Sequence, residues 1–276
     1  MPSWVTHCDG EIVRSVLEIH DGTLRFGETA LWSSLELELA PGEFLAVLGS
    51  NGSGKTSLLK AILGEQPLAT GAITIAGEAA QRGDRRIGYI PQQRILPTGT
   101  PMRGRDLVTF GVDGHRFGLP LPSRATQTRV DELLDAVGAT NFAHRPIGSL
   151  SGGEQQRLRV AQALAADPML LLCDEPLSSL DLAHQQAVAE LIDRRRRDHD
   201  TGVMFVTHDI NPVLPMVDRI LYLAHGGFTI GTPDAVLRSD VLSALYGTAV
   251  EVFRSGDRVF VAGTPDPTHH HDEDAA

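Results

Sequence analysis

The eight residues from Gly49 to Thr56 constrain the fold more than any other part of this sequence. They read GSNGSGKT and match the pattern G-x-x-x-x-G-K-[ST], whose glycines let backbone N–H groups turn inward around phosphate oxygens. An apolar run at 44–48 precedes the motif, and a helical pattern ending at Gly64 follows it. The sequence therefore predicts a strand, a phosphate-binding loop and a helix in succession. In this loop Lys55 would reach the terminal phosphates and the Thr56 hydroxyl would bind Mg²⁺.

Apolar runs and helical patterns alternate along most of the chain, which predicts a parallel sheet covered on both faces by helices. Near the N-terminus, residues 16–40 predict antiparallel strands around a turn at Asp21-Gly22, and residues 72–90 resume strand character. The elements expected after residue 150 are helices at 155–166 and 185–196, buried strands at 169–173 and 203–206, and short strands with one helix within 217–262.

Residues 94–150 differ from their surroundings. They are first rich in Gly, Pro and Arg and then hold a short helical segment around 130–137, with Gly138 as its expected end. A chain of 276 residues with 42% hydrophobic content can bury a large core. We therefore expect one large domain in which this region is inserted between two halves of the sheet.

The charge balance argues against a protein that coats nucleic acid. The chain has 24 Lys+Arg against 35 Asp+Glu, a formal charge of −11, whereas such proteins depend on a basic surface. The only notable basic run is 194–197, which Asp193, Asp198 and Asp200 flank. This run is interpreted as a solvated helix end, with binding to nucleic acid or acidic lipid as the alternative.

The expected location is the cytoplasm. The sequence has no signal peptide pattern and no stretch approaching the 18 or so apolar residues that a membrane span needs. Its two cysteines are Cys8 and Cys173, and Cys173 lies in an apolar run that is typical of a buried strand. A disulfide is not expected, in keeping with a reducing compartment.

A pair of carboxylates, Asp174 and Glu175, follows the apolar run Leu170–Cys173. Ligands of open α/β sheets bind at the carboxyl ends of the strands, where this pair would lie. Asp174 is expected to hold Mg²⁺, and Glu175 to act as general base on the attacking water.

A third motif, LSGGEQQR at 150–157, distinguishes among enzymes with this phosphate loop. Ser151 and Glu154 form an S-x-x-E capping box, so the simplest interpretation is a well-capped helix. That interpretation explains neither the glycine pair nor the position shortly before the acidic strand. LSGGE is the signature sequence of ABC-type ATPases, and nearly the entire chain resembles the nucleotide-binding subunits of that family.

The resemblance implies an α/β fold, with a P-loop NTPase core built on a mixed, mainly parallel sheet. It also implies an N-terminal antiparallel β-subdomain, an inserted helical subdomain, and ATP and Mg²⁺ as cofactors. Phe26 would stack on the adenine, Gln92 would sense Mg²⁺ and the γ-phosphate, Asp181 matches the D-loop and His208 the switch histidine. The implied site consists of catalytic Glu175, His208, Gln92 and Lys55; nucleotide-binding Phe26, Gly49, Ser50, Asn51, Gly52, Ser53, Gly54, Lys55, Thr56, Ser57, Ser151, Gly152, Gly153 and Asp181; and Mg²⁺-binding Thr56, Gln92 and Asp174.

The family architecture implies an ATP-dependent, head-to-tail homodimer. Each ATP would lie between the phosphate loop of one protomer and the signature of the other, so that Ser151 and Gly153 face the γ-phosphate of the partner's nucleotide. Hydrolysis would remove this bridge and open the dimer.

The implied domain organisation has four parts. Residues 1–93 and 151–230 would form the ATPase core, and 94–150 the helical subdomain that contacts a permease and leads to the signature. Residues 231–265 would extend the core, and 266–276 would be a flexible tail rich in His and acidic residues. A chain of this kind without a membrane span resembles importer ATPases, which lie at the inner face of the membrane on separate permease subunits and serve an extracytoplasmic substrate-binding protein.

The pattern after Gln92 and the segment 241–247 resemble the zinc and manganese uptake branch, although iron-chelate and cobalamin importers share part of the latter. The tail His269–Asp274 offers imidazoles and carboxylates, which bind Zn²⁺ or Mn²⁺, but a solvated tail is the simpler interpretation. Alternatives with the same catalytic motifs are an exporter ATPase and a non-transport ATPase acting on nucleic acid or ribosomes. A P-loop kinase is a weaker alternative, because it leaves the signature helix without a role.

Overall fold

A computed structural model describes residues 15–92, 100–114, 123–178 and 180–263. Its strands and helices are numbered separately in chain order. The strands are β1 (Leu17–Phe26), β2 (Thr29–Leu39), β3 (Phe44–Gly49), β4 (Thr70–Ile75), β5 (Glu78–Ala79), β6 (Ile87–Ile90), β7 (Leu170–Asp174), β8 (Gly202–Val206), β9 (Arg219–Ala224), β10 (Gly227–Gly231), β11 (Val250–Ser255) and β12 (Arg258–Gly263). The helices are α1 (Lys55–Ile62), α2 (Gly104–Asp113), α3 (Arg124–Ala136), α4 (Gly152–Ala163), α5 (Leu182–His199), α6 (Pro233–Val236) and α7 (Ser239–Tyr246), with 3₁₀ turns at Ile147–Ser149 and Leu214–Met216.

The central sheet has six strands in the order β10-β9-β3-β8-β7-β6. All neighbouring pairs are parallel except β10 with β9 at one edge. Alternate residues of β3 pack on opposite faces: Phe44, Ala46 and Leu48 join one buried cluster, and Leu45 and Val47 the other. The continuous apolar runs are therefore strands buried on both faces, which confirms the predicted α/β fold.

Two different layers cover this sheet. On one face, α1 and the antiparallel sheet β2-β1-β4-β5 form the buried cluster that contains the fully buried Trp32. On the other face, α3, α4 and α5 contribute to the larger cluster. Both layers leave the carboxyl ends of β3, β6, β7 and β8 on the same edge, because parallel strands end on one side of a sheet.

The predicted turn at Asp21-Gly22 is wrong. Strand β1 continues through these residues, and the reversal occurs at Gly27-Glu28. Asp21 has φ +45°, and the register with β2 shifts between Ile19 and Gly22. Asp-Gly therefore forms an irregularity within the strand rather than its end.

The inserted region contains one helix more than predicted. Helix α3 includes the expected segment around 130–137 and ends before Gly138, which has φ +63°. Helix α2 was not predicted, and it packs against both α3 and α4. Residues 93–99 and 115–122, which include most of the expected Gly/Pro-rich stretch, lie outside the described residues.

The C-terminal part contains two helices, α6 and α7, where one was predicted. Strands β11 and β12 form a separate antiparallel hairpin after them. The N-terminal segment with Cys8 and the tail from residue 264 onward lie outside the described residues. None of the helices in the described ranges has the length and apolar character needed to cross a membrane.

The basic run 194–197 at the end of α5 is partly internal, contrary to the prediction of a solvated helix end. Arg195 is 9% exposed, and its guanidinium donates to Thr201 at 3.0 Å and to Asp167 at 2.6 Å. Arg196 donates to the carbonyl of Gly42 at 2.8 Å. Through these hydrogen bonds, Arg195 and Arg196 join α5 to neighbouring parts of the chain.

Candidate active site

The loop between β3 and α1 requires glycine at its first position. A Cβ on Gly49, which has φ +144°, would lie 2.1 Å from the carbonyl oxygen of Leu223 on the neighbouring strand β9. Gly54 has φ +96° immediately before α1 begins, and a Cβ there would contact the Trp32 indole. The loop therefore lies close to the sheet and leads directly into a helix N-terminus, the arrangement that binds phosphate.

Lys55 lies against this loop. Its Nζ donates to the carbonyl oxygens of Gly49 at 2.8 Å and of Ser50 at 2.9 Å, and the residue is 7% exposed. Burial lowers the pKa of Lys55, while the nearby carboxylates Glu175 and Asp174 act in the opposite direction. An ammonium held by two carbonyls is positioned to exchange them for stronger phosphate acceptors.

Oxygen ligands meet where α1 begins beside the end of β7. The Thr56 hydroxyl lies 3.3 Å from Oδ1 of Asp174, which is 3% exposed. Burial raises the pKa of Asp174, and Glu175 adds to this, while hydrogen bonds from Thr56 and Tyr89 lower it. Burial and the nearby carboxylate of Asp174 raise the pKa of Tyr89 to about 12, so the Tyr89 hydroxyl stays a neutral donor.

Three of the predicted site residues meet at Glu175, which follows Asp174 in the chain. The side-chain amide of Gln92, two residues after β6, donates to Oε2 of Glu175 at 3.0 Å. Nδ1 of His208, two residues after β8, lies 3.8 Å from the same oxygen. Glu175 has φ +47°, an unusual value for a non-glycine residue, and its N–H donates to the carbonyl of Val206 at 3.0 Å. The carboxylate is therefore held between two polar groups at the strand ends.

A cleft of about 610 Å³ extends from the phosphate loop to Gln92 and Glu175. Phe26 lines this cleft with 77% of its surface exposed, so its ring is accessible from the solvent. Thr29 and Leu31, which were not predicted, also line the cleft. The predicted residues that line it are Phe26, Asn51, Gly52, Gly54, Lys55, Thr56, Ser57, Gln92 and Glu175.

The remaining residues of the phosphate loop do not line this cleft. Ser50 contributes the carbonyl that accepts from Lys55. Gly49 and His208 line an adjoining cavity. The Ser53 hydroxyl is buried and, within the described part of the chain, has no hydrogen-bond partner.

The signature residues do not join the cleft of their own chain. Ser151 and Glu154 form the predicted capping box at the start of α4: the Ser151 N–H donates to Glu154 at 2.7 Å, and the Glu154 N–H donates to the Ser151 hydroxyl at 3.3 Å. None of the described residues that line the cleft comes from 150–154. Ser151, Gly152, Gly153 and Asp181 are thus separate from the phosphate loop within one chain.

His184, for which no role is predicted from the sequence, links the signature to Asp181. Asp181 caps α5 by accepting from the His184 N–H at 3.0 Å. Nδ1 of His184 lies 2.7 and 2.8 Å from the two Asp181 carboxylate oxygens, so this nitrogen carries a proton. These hydrogen bonds lower the pKa of Asp181. The His184 ring also packs against Gly153, where a Cβ would lie 2.4 Å from its Cδ2.

The chain is similar to known proteins over most of its length. A family model described as ABC transporter matches residues 32–178. The zinc import ATP-binding protein ZnuC of Cereibacter sphaeroides is 34% identical over 233 residues, which are 84% of this chain and 89% of the relative.

Solved structures give the same result. An inward-facing conformation of a proposed metal-chelate type ABC transporter is 28% identical, with a TM-score of 0.76, and covers 92% of this chain and 98% of its own. The dimeric ATP-binding cassette MJ0796 in a post-hydrolysis state with ADP and Pi is 26% identical, with a TM-score of 0.67, and covers 78% of this chain and 98% of its own.

Proposed function

The chain belongs to the ABC transporter family, as an ATP-hydrolysing subunit, and from this premise we propose that it drives metal-ion import by closing as a head-to-tail dimer beneath separate permease subunits. The observation that carries the proposal is the convergence of Gln92 and His208 on Glu175 beside the phosphate loop. The proposed partners and cargo rest in addition on the likeness to known proteins.

In this proposal Glu175 is the general base. Its carboxylate takes a proton from the water that attacks the γ-phosphate. Glu175 directly follows β7 and lines the same cleft as the phosphate loop. Gln92 holds the carboxylate from one side, and His208 contacts the γ-phosphate from the other. Lys55 and the loop N–H groups bind the β- and γ-phosphates and stabilise the charge that develops there.

The residues at the end of β7 fit a magnesium ion. Thr56 and Asp174 offer a hydroxyl and a nearly buried carboxylate 3.3 Å apart, and oxygen ligands of this kind suit Mg²⁺. The described residues contain no cluster of three or more His, Cys, Asp or Glu that would enclose a metal ion. Mg²⁺ is commonly bound by one or two protein ligands together with substrate phosphates, and we assign Thr56 and Asp174 to an ion that arrives with the nucleotide. Bound there, with Gln92 nearby, the ion would neutralise charge on the phosphates.

A dimer would complete the site. The cleft lacks the signature residues of its own chain, while the capped N-terminus of α4 has donors suited to an anion. In a head-to-tail pair, Ser151 and Gly153 of one protomer would reach the γ-phosphate bound to the other, with the Asp181 loops between them. The similar ATP-binding cassette that is described as dimeric, 26% identical to this chain, supports the formation of a dimer.

We assign residues 94–150 to the contact with the permease. Helices α2 and α3 of this region pack on α4, which begins at the signature. A displacement of α2 and α3 by the permease would therefore be transmitted through the packed helices to Ser151 at the start of α4. The chain would lie at the inner face of the membrane through this contact, and a substrate-binding protein outside the membrane would deliver the cargo to the permease.

Zn²⁺ or Mn²⁺ is the proposed cargo, because the similar relative from Cereibacter sphaeroides is named a zinc import protein. A chelated metal is the second candidate. It is favoured by the likeness over 92% of this chain to a structure described as a proposed metal-chelate type transporter.

A deletion strain tests these proposals. Growth should fail in medium depleted of zinc and manganese and recover with the wild-type gene, but not with a gene encoding Glu175→Gln. Growth that fails only when iron is supplied as a chelate would favour the second candidate. Normal growth in all these media, together with recovery of the protein on ribosomes or DNA instead of on a membrane permease, would overturn the transport proposal.

A further inference from the structure

The C-terminal hairpin, β11–β12, packs in the same hydrophobic cluster as the loop 207–213, which carries His208. Val250 and Val259 are 5% and 4% exposed and belong to the buried cluster that also contains Ile210 and Val213. A cavity of about 430 Å³ lies between the hairpin and this loop, and His208 and Phe260 both line it. None of the family motifs includes the hairpin.

One side chain joins the two elements. The Asn211 amide accepts from the Val259 N–H at 2.8 Å and donates to the Val259 carbonyl at 3.0 Å. Its second amide hydrogen is directed to Oδ1 of Asp209 at 2.8 Å, and the Asn211 backbone N–H donates to the same oxygen at 3.0 Å. Both amide hydrogens of Asn211 are therefore donated to acceptors. The Val259 N–H, the Val259 carbonyl and the Asp209 carboxylate together fix the orientation of the amide.

The same set of contacts extends to both sides of His208. The Asp209 N–H donates to the Thr207 hydroxyl at 3.2 Å, and that hydroxyl donates to the Asp209 carbonyl at 2.7 Å. Thr207 in turn donates its N–H to Val47 of β3 at 3.2 Å. His208, which is itself exposed, thus lies on a loop fixed to the central sheet before it and to the hairpin after it.

We propose that the hairpin β11–β12 is a positioning element for His208, and that Asn211 is the positioning residue through which it acts. This rests on the proposed role of His208 at the γ-phosphate. A loop without regular secondary structure samples many conformations unless its ends are held, and a displacement of about 1 Å at a reacting group costs about 10²-fold in rate. The hairpin supplies the second fixed end of this loop, and Nδ1 of His208 on the loop lies 3.8 Å from Oε2 of Glu175.

The test is a double-mutant cycle on the full chain. Asn211→Ala and Asn211→Asp should each lower kcat for ATP about tenfold or more, with the KM for ATP unchanged, because the phosphate loop is not altered. In a His208→Ala background, Asn211→Ala should cost less than about a further twofold, since its effect passes through the missing ring. Nucleotide affinity and thermal unfolding of each variant show whether it is folded.

Ser239→Ala is the matched control. The Ser239 hydroxyl accepts from the Val252 N–H at 2.9 Å, so this variant removes one bond to the same hairpin at a site that does not touch the His208 loop. Its kcat should stay near the wild-type value. Equal losses from Asn211→Ala with and without His208, or a kcat unchanged by Asn211→Ala, would overturn the inference. A wild-type kcat for His208→Ala would instead contradict the proposed function of the site.

Discussion

The Gln92 amide donates to the Glu175 carboxylate at 3.0 Å, although the two residues are 83 positions apart. They meet because β6 and β7 are parallel neighbours and Gln92 and Glu175 follow their carboxyl ends. His208 follows the next strand, β8, and reaches the same carboxylate oxygen. Three adjacent strands therefore assemble the groups that surround the attacking water in the proposed mechanism.

Replacing the carboxylate of Glu175 by an amide should separate ATP binding from hydrolysis. Glu175→Gln should bind ATP with near wild-type affinity and hydrolyse it about 10²–10⁴-fold more slowly, because a general base contributes a factor of this size. Steady-state phosphate release and nucleotide binding are the measurements. Glu190→Gln is the control, since Glu190 is exposed on α5 with a hydrogen bond to the nearby Gln186. Hydrolysis by Glu175→Gln at the wild-type rate would exclude the assigned role.

A side chain at Gly153 should disturb the link between the signature and Asp181. The Cβ of Gly153→Ala would lie 2.4 Å from Cδ2 of His184, a ring that hydrogen bonds hold against Asp181. We expect a loss of unfolding free energy of about 1–3 kcal/mol from this overpacking, together with a lower kcat. Thermal unfolding and ATPase assays measure the two effects.

The double variant Gly153→Ala with His184→Ala tests the cause of this loss. Removing the ring frees the space, and alanine is otherwise favoured over glycine inside a helix by about 1 kcal/mol. The double variant should therefore be more stable than Gly153→Ala alone. If it is not, the steric explanation fails.

Chemical cross-linking tests the head-to-tail dimer. Asn51 is exposed on the phosphate loop and Gly152 is half-buried at the start of α4. A chain carrying Asn51→Cys, Gly152→Cys, Cys8→Ser and Glu175→Gln should form cross-linked dimers with a short bis-maleimide when ATP is present. Burial raises the pKa of Cys173, so this thiol stays unreactive in the folded chain.

The single-cysteine chains are the controls for this experiment. A chain with Asn51→Cys alone should remain monomeric on denaturing gels, because the head-to-tail arrangement pairs the phosphate loop with the signature and not with itself. Cross-linking of that variant to the same extent, or no cross-linking of the double-cysteine chain with ATP, would contradict the proposed interface.

Local sequence signals were sufficient to predict the strand and the helix on either side of the phosphate loop. The apolar run at 44–48, the glycines of the loop and the helix ending before Gly64 all occur where predicted, since each depends on residues close in the chain. Helix α2 was missed because Gly104, Gly111 and Gly114 hide its periodicity. The Asp21-Gly22 turn was wrong because pairing of β1 with both β2 and β4 keeps the strand continuous through the pair.

Pairings across the fold were not predictable in the same way. The separation of Gln92 and Glu175 in sequence carries no information about their contact, and only the strand order brings them together. Arg195 was predicted to be solvated because aspartates flank the basic run in the sequence and offset its charge. Its actual hydrogen-bond partners, Asp167 and Thr201, come from loops beside α5. His184 had one usable signal: it lies three residues after Asp181, and aspartate is a preferred residue at a helix N-cap.

The ionised carboxylate of Asp174 should cost stability in the ligand-free protein. Its folded pKa is raised by burial, so the folded state holds the proton more tightly than the unfolded state does. Asp174 therefore adds to the free energy of unfolding at acidic pH, and this contribution is lost as the pH rises through the folded pKa. Asp174→Asn removes this charge and should raise the unfolding free energy near neutral pH by about 0.5–2 kcal/mol, while abolishing magnesium-dependent ATP hydrolysis. Denaturant unfolding without nucleotide should show a gain at pH 7 that shrinks as the pH falls and the wild-type carboxyl becomes protonated. A variant that is less stable than the wild type at pH 7, or one whose gain grows towards acidic pH, would show that the buried charge is not the source of the effect.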